Sequence, residues 1–218
     1  RQAAVRYWKR SIEIAADRDV SHRRFPVQWV IRPMSDEHHD YRGYAGTMSS
    51  GVIRVGDPMM ALPSGFTTTI SAIDTPMGPV EEAYPPMAVV VRLTDEIDIS
   101  RGDMLVRPNN TVEPRQDLDL RVCWMDETTA LAPGRMLAIK HTTVWARVKV
   151  KEVVYRVDIN TLHRDESATS LSLNEIGRVR MRCTRPLWMD DYAENRNTGA
   201  VILVDEATNR TVGAGILS

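Results

Sequence analysis

His38 and His39, flanked by Asp36, Glu37 and Asp40, crowd five potential metal ligands into five consecutive positions. Metal sites draw their ligands from separated positions that converge in space, and adjacent side chains point apart. The cluster therefore reads as a solvated loop, and no metal ligand is assigned. His141 sits beside Lys140 and two threonines, without a nucleophile or carboxylate at a spacing that implies a catalytic pair. It reads as a structural or interface histidine. Cys123 and Cys183 each lie inside an apolar run, where a free cysteine behaves as a small hydrophobe. Nucleotide chemistry would need Gly-Lys-Ser or Gly-Lys-Thr, so that backbone N–H groups cradle phosphate while the lysine reaches the β and γ oxygens. No glycine in this chain precedes a lysine, and no asparagine does either, which removes the guanine-reading Asn-Lys-x-Asp phrase as well. Asp40-Tyr41-Arg42-Gly43 fits Asp-x-x-Gly, but without a phosphate loop it reads as strand and turn. No catalytic, cofactor-binding or metal residue is assigned, and the chain alone is expected to be inactive toward nucleotides.

Recognition chemistry is better represented. Val144, Ala146, Val148 and Val150 alternate with Trp145, Arg147, Lys149 and Lys151, and Val179, Met181 and Cys183 alternate with Arg178, Arg180 and Arg182. A period of two turns one set inward and the other outward. Trp and Arg are enriched at interface hot spots, so Trp145, Arg147, Lys149, Lys151, Arg178, Arg180 and Arg182 form the candidate partner surface. The competing reading is a pair of ordinary solvated strand faces. If the two strands are neighbours, their facing cations repel unless counterions or an acidic partner intervene. Trp124 and Trp188 read as core or inter-domain packing.

These side chains are positioned by strands. Phe25, Val27, Trp29 and Ile31 alternate with Pro26, Gln28 and Arg32, although Val30 breaks the strictness. Short apolar runs at 52–55, 59–62, 67–73, 88–93 and 104–106 follow, and turn chemistry separates them: Gly56-Asp57, Pro63-Ser64-Gly65, Pro85-Pro86 and Arg101-Gly102-Asp103. Residues 107–114, polar and bracketed by prolines, read as a domain boundary. Further strands are expected at 118–125, 136–139, 144–151, 178–183, 201–204 and 211–217, with room for one short helix between Asp165 and Leu173. Val5, Trp8 and Ile12 have helical spacing. The expected organisation is all-β, with two consecutive small β-barrels at 24–110 and 115–218 after a helical or linker segment at 1–23.

Bulk properties agree with a two-domain globular chain. Hydrophobic residues make up 43% and charged residues 26%, which excludes a disordered class. A formal net charge of -1 gives no global attraction to nucleic acid or anionic membrane. Two cysteines are no disulfide framework, and no apolar run approaches the ~20 residues of a membrane span. A signal-peptide layout is missing and the chain opens on Arg1. The expectation is a cytoplasmic piece of a longer protein.

Particular phrases sharpen this. Arg24-Phe25-Pro26-Val27-Gln28, Arg42-Gly43-Tyr44-Ala45-Gly46, Ser50-Gly51-Val52 and Asp98-Ile99-Ser100-Arg101-Gly102-Asp103 mark the first barrel. Ile139-Lys140-His141-Thr142-Thr143, Asp158-Ile159-Asn160-Thr161-Leu162, Leu173-Asn174-Glu175-Ile176-Gly177, Asn195-Arg196-Asn197-Thr198-Gly199-Ala200 and Asn209-Arg210-Thr211-Val212-Gly213-Ala214-Gly215 mark the second. Over residues 24–218 the chain resembles the two barrels, like domains II and III of translation-factor GTPases, that follow the G domain in the GTPase subunit of bacterial sulfate adenylyltransferase. The glycine phrases of the first barrel are shared with elongation factor Tu. The second-barrel phrases single out the sulfate-activating branch, and Cys123 to Glu127 and His163 to Ser167 are most similar to actinobacterial members, often fused to an adenylylsulfate kinase. The resemblance implies a barrel pair that braces the G domain and docks a sulfate-adenylylating small subunit. GTP and magnesium would be held in the G domain and ATP in the small subunit, with no cofactor on this chain. The alternative is the barrel region of an elongation factor that binds aminoacyl-tRNA or ribosome. RNA binding favours a basic balance and stacking aromatics, whereas this chain is slightly acidic and 6% aromatic.

Overall fold

The computed structural model describes residues 22–33, 41–158 and 160–217, and none of these is helical. The helical spacing at Val5, Trp8 and Ile12, most of the charged linker before Arg24, and the His38-His39 cluster lie outside the described residues.

Nine strands occupy the first half: β1 (Arg24–Ile31), β2 (Gly43–Thr47), β3 (Ile53–Arg54), β4 (Pro58–Leu62), β5 (Thr67–Thr75), β6 (Gly78–Val80), β7 (Glu82–Ala83), β8 (Ala88–Leu93) and β9 (Met104–Val106). Hydrogen-bonded neighbours run β4-β9-β1-β2-β8-β5, and β4 pairs again with β5, so six strands close on themselves while β6 adds an edge. Closure leaves no unpaired ladder around the ring. Phe25, Val27, Tyr44, Ile53, Met59, Ile70, Ile73 and Val91 fill the interior. The Gly-Asp pairs turn the chain where the sequence places them. Gly102 has φ of 101°, open to glycine without a Cβ clash, and the Asp103 carboxylate accepts the Ser100 N–H at 2.8 Å. Asp57 accepts the Arg54 N–H at 2.7 Å in the same way.

One face assignment differs from expectation. Phe25, Val27, Trp29 and Ile31 do not share a face, because a bulge lies between Val27 and Trp29 in the pairing with β2. The extra residue inverts the pleat. Trp29 is 66% exposed as a result, while Val30 packs on the core.

The second half holds β10 (Pro114–Trp124), β11 (Met136–His141), β12 (Val144–Val157), β13 (Arg164–Asp165), β14 (Ile176–Trp188), β15 (Ala200–Val204) and β16 (Thr211–Leu217). Its ring runs β11-β15-β16-β10-β14-β12 and is closed by β11 against β12, with β13 as an added edge. Leu118, Leu120, Val122, Trp124, Val148, Met181 and Leu203 are among its core residues. Trp124 is fully enclosed, and its indole N–H donates to the Thr129 carbonyl at 2.8 Å. No short helix forms between Asp165 and Leu173. Arg164 and Asp165 pair with β12 instead, and the Leu171 N–H and C=O are both taken by Leu131 at 2.9 and 2.8 Å. Backbone groups committed to a neighbouring segment are not free to bond along a helix.

Candidate functional site

The candidate residues lie on two adjacent strands, β12 and β14, with β10 on the other side of β14. Inward Val148, Val150, Val179 and Met181 alternate with outward Arg147, Lys149, Arg180 and Arg182. Lys149 stands opposite Arg182 in the ladder, so the two basic rows do meet. Counterions supplied within the chain separate most of the charge. Asp117 accepts from Arg182 at 2.6 Å, Asp119 accepts twice from Arg178 at 2.7 Å, and Glu152 accepts from Arg180 at 2.5 Å. The Arg178 hydrogen bonds hold the Asp119 carboxyl below its ordinary range against the opposing effect of burial. Arg147 donates to Glu206 at 2.7 Å.

The Trp145 row also ends sooner than its alternation implies. A bulge falls between Val150 and Glu152, so Lys151 is the inserted residue and Glu152 takes the place opposite Arg180. Trp145 points outward and is 49% exposed. It borders an open groove of about 630 Å³ lined by Ala138, Ala146, Arg147, Val204, Glu206 and Asn209. Trp188 plays the other role expected of it, packing against Leu62, Met104, Val106 and Val112 between the two barrels.

The junction of the barrels holds buried polar residues that the sequence does not single out by role. Arg24, at the start of β1, is 1% exposed. Its guanidinium donates to both oxygens of Asp190 at 2.9 Å, and to the Asn110 carbonyl and side-chain oxygens at 2.9 and 3.0 Å. Asp190 also accepts the Thr198 hydroxyl at 2.5 Å. Burial pushes the Asp190 carboxyl up, but the Arg24 and Thr198 hydrogen bonds and the Arg24 charge bring it below its ordinary value. Beside this pair, Asn195 donates to the Ser50 hydroxyl at 2.7 Å, and Asn197 donates to the Ser49 carbonyl at 2.9 Å. The loop carrying these groups is closed at Gly199, where a Cβ would lie 2.5 Å from the Tyr192 backbone. Arg24, Asn195, Asn197 and Thr198 all stand inside the phrases that carry the family resemblance. That was the available signal, though it does not say which groups meet.

His141 is 1% exposed, and its Nε2 lies 2.8 Å from the Thr198 carbonyl. Burial pushes its pKa down, with the Thr198 carbonyl and the Asp190 charge opposing. Cys183 is buried, which drives its thiol up to about 12. Arg135 bridges Asp126 at 3.3 Å and Asp205 at 3.5 Å while lying over the Trp124 ring, a tie between two loops. Among the described residues no three His, Cys, Asp or Glu side chains gather as a metal ion would require. No helix among them is long and apolar enough to cross a membrane.

A family model described as GTP-eEF1A C-terminal domain-like matches residues 117–218. The bifunctional enzyme CysN/CysC of Mycobacterium tuberculosis is 54% identical over 206 residues, 94% of this chain and 34% of that protein. Sulfate adenylyltransferase subunit 1 of Pseudoalteromonas atlantica is 41% identical over 207 residues, 95% of this chain and 43% of that protein. The chain therefore spans less than half the length of these relatives. Translation elongation factor SelB of Methanococcus maripaludis superposes with a TM-score of 0.72 at 17% identity, covering 99% of this chain and 45% of that one. That likeness is one of fold.

Proposed function

We propose that this chain is the non-catalytic barrel pair of the GTPase subunit of a sulfate adenylyltransferase, a reading supported by the GTP-eEF1A C-terminal domain-like match over residues 117–218 and by the identity to sulfate adenylyltransferase subunit 1 over nearly the whole chain. In this reading the barrels at 24–110 and 115–218 brace a G domain and dock the sulfate-adenylylating subunit. The parent protein hydrolyses GTP to drive formation of adenylyl sulfate in the cytoplasm. GTP and magnesium do not fit this chain, which has no Gly-Lys pair to build a phosphate cradle. They belong to the G domain, and ATP to the partner. The 54% identity to a bifunctional enzyme suggests that the parent carries an adenylylsulfate kinase as well.

The observation that carries the proposal is the buried ionic junction between the barrels. A G domain transmits a nucleotide-driven rearrangement to a partner by moving a body that does not deform. Arg24, held by Asp190 and Asn110 with every hydrogen bond made inside the protein, ties the barrels into such a body. The elongation-factor reading has behind it the family model over residues 117–218 and a likeness of fold at 17% identity, whereas the sulfate-adenylyltransferase relatives are 41–54% identical over nearly the whole chain.

Titration of the purified chain against the sulfate-adenylylating subunit, with aminoacyl-tRNA in parallel, tests the proposal. Saturable association with the subunit and none with tRNA is expected, with no GTP turnover by the chain alone. Preference for tRNA, or measurable turnover, would overturn it.

A further inference from the structure

We propose that the outer face of β11, β12 and β15 around Trp145, and not the arginine row of β14, is the surface that docks the partner subunit, and that it receives a segment presenting an apolar side chain between carboxylates. This rests on the docking function proposed above and assigns it a place and a chemistry. The arginine row is excluded by its own neighbours. Arg178, Arg180 and Arg182 already give their guanidinium hydrogen bonds to Asp119, Glu152 and Asp117. An incoming carboxylate there would have to displace one already in place, and would meet its repulsion.

The Trp145 face is built differently. Across the ladder Lys140 pairs with Trp145, Ala138 with Arg147 and Met136 with Lys149. On the other side Lys140 pairs with Ile202, which pairs with Ala214. The outward positions thus form a floor of small or aliphatic side chains, with Trp145 and the 45% exposed Met136 standing above it. The floor lies low because Ala138 is short, and this leaves the groove of about 630 Å³. Lys140 holds its ammonium 5.7 Å from the Trp145 ring centre. Among the described residues Lys140, Lys149 and Lys151 have no carboxylate partner, whereas Arg147 is fixed by Glu206.

An exposed indole over an apolar floor, with the Lys140 ammonium at its ring and Lys149 further along the same strand face, has the composition of an interface hot spot with a cationic edge. Its complement is an apolar anchor with acidic flanks. Nucleic acid is the poorer fit. One tryptophan gives no series of stacking platforms.

The chain and its variants are titrated by calorimetry against the purified sulfate-adenylylating subunit at low and high salt, with tRNA as a second probe. Trp145→Ala is expected to weaken association about 30-fold. The double variant Lys140→Glu, Lys149→Glu is expected to weaken it at least about tenfold at low salt, and less at high salt, where screening blunts surface charge. Arg182→Gln should stay within about twofold. Far-UV dichroism checks each fold, and the lysine variant, altering only outward side chains, carries the test should Trp145→Ala misfold. Unchanged affinity in that variant would overturn the assigned surface while leaving the docking function standing. Failure of the unaltered chain to bind the subunit would overturn both, and tRNA binding abolished by the lysine changes would replace the inference with a nucleic-acid site.

Discussion

His141 shows how much one side chain's surroundings decide. Its type and neighbours mark it as structural, and it is enclosed with its ring nitrogen on the Thr198 carbonyl. The groups facing it are Asp190, which favours its charged form, and Arg24 behind that carboxylate. Burial outweighs Asp190 and holds the folded pKa below the ordinary value of 6.5. The unfolded chain therefore takes up the proton first. Stability contributed by the neutral imidazole is complete above that value and is lost as pH falls toward the folded pKa. Urea unfolding from pH 7.5 down to 5 is expected to show a midpoint that declines with acid. His141→Gln should lower the midpoint at every pH yet flatten its slope, and an unchanged slope would assign the acid sensitivity to another group. Asp190, also held below its ordinary value, loses its contribution only below about 3.8, outside that window.

At the level of the element, strand positions and turns are legible while strand faces are not, and the cause is the bulge. Ala88–Leu93, Met104–Val106 and Thr211–Leu217 stand where alternation and turn residues place them. Trp29 and Glu152 do not face as alternation requires, because an inserted residue inverts the pleat and leaves no mark in hydropathy. The counterions of the arginine row were unreadable for a related reason. Asp117 and Asp119 are neighbours of Arg182 and Arg180 only once the register of β10 against β14 is known. A deletion separates a bulge from ordinary pleat. Removing Lys151 leaves Val150 and Glu152 opposite Met181 and Arg180 as before, so the downstream register survives. Removing Lys149 shifts strand residues that pair with Met136 on one side and Arg182 on the other, and moves buried valines to the outer face. The Lys151 deletion is expected to give a cooperative urea transition near that of the intact chain, and the Lys149 deletion to abolish it. Equal damage from the two would mean that the bulge does not isolate the register.

For the whole molecule the question is whether two closed barrels behave as one body. Each has its own core, so each is in principle able to unfold alone. What joins them is costly to break: Trp188 against the Leu62, Met104, Val106 and Val112 cluster, the hydrogen bonds of Asn195 to Ser50 and Asn197 to Ser49, and the Arg24–Asp190 pair. These two charges are 166 positions apart, a meeting that no spacing in one sequence announces. Removing one partner of a buried ion pair leaves the other desolvated without compensation, a cost of about 3–5 kcal/mol, whereas replacing both by apolar groups is close to neutral. Asp190→Ala should therefore destabilise by about that amount, and Arg24→Met with Asp190→Leu by much less. Native-state hydrogen exchange reads the coupling directly. In the intact chain amides of Val27 and Leu120, one in each core, should exchange with the same opening free energy. In Asp190→Ala they should separate, because the lost stability falls on the junction and frees each barrel to open alone. Were the two amides to fall together in that variant, the barrels would be coupled through the Trp188 contact and the asparagine–serine hydrogen bonds, and the ionic pair would be a local packing feature instead of the tie that makes the barrels one lever.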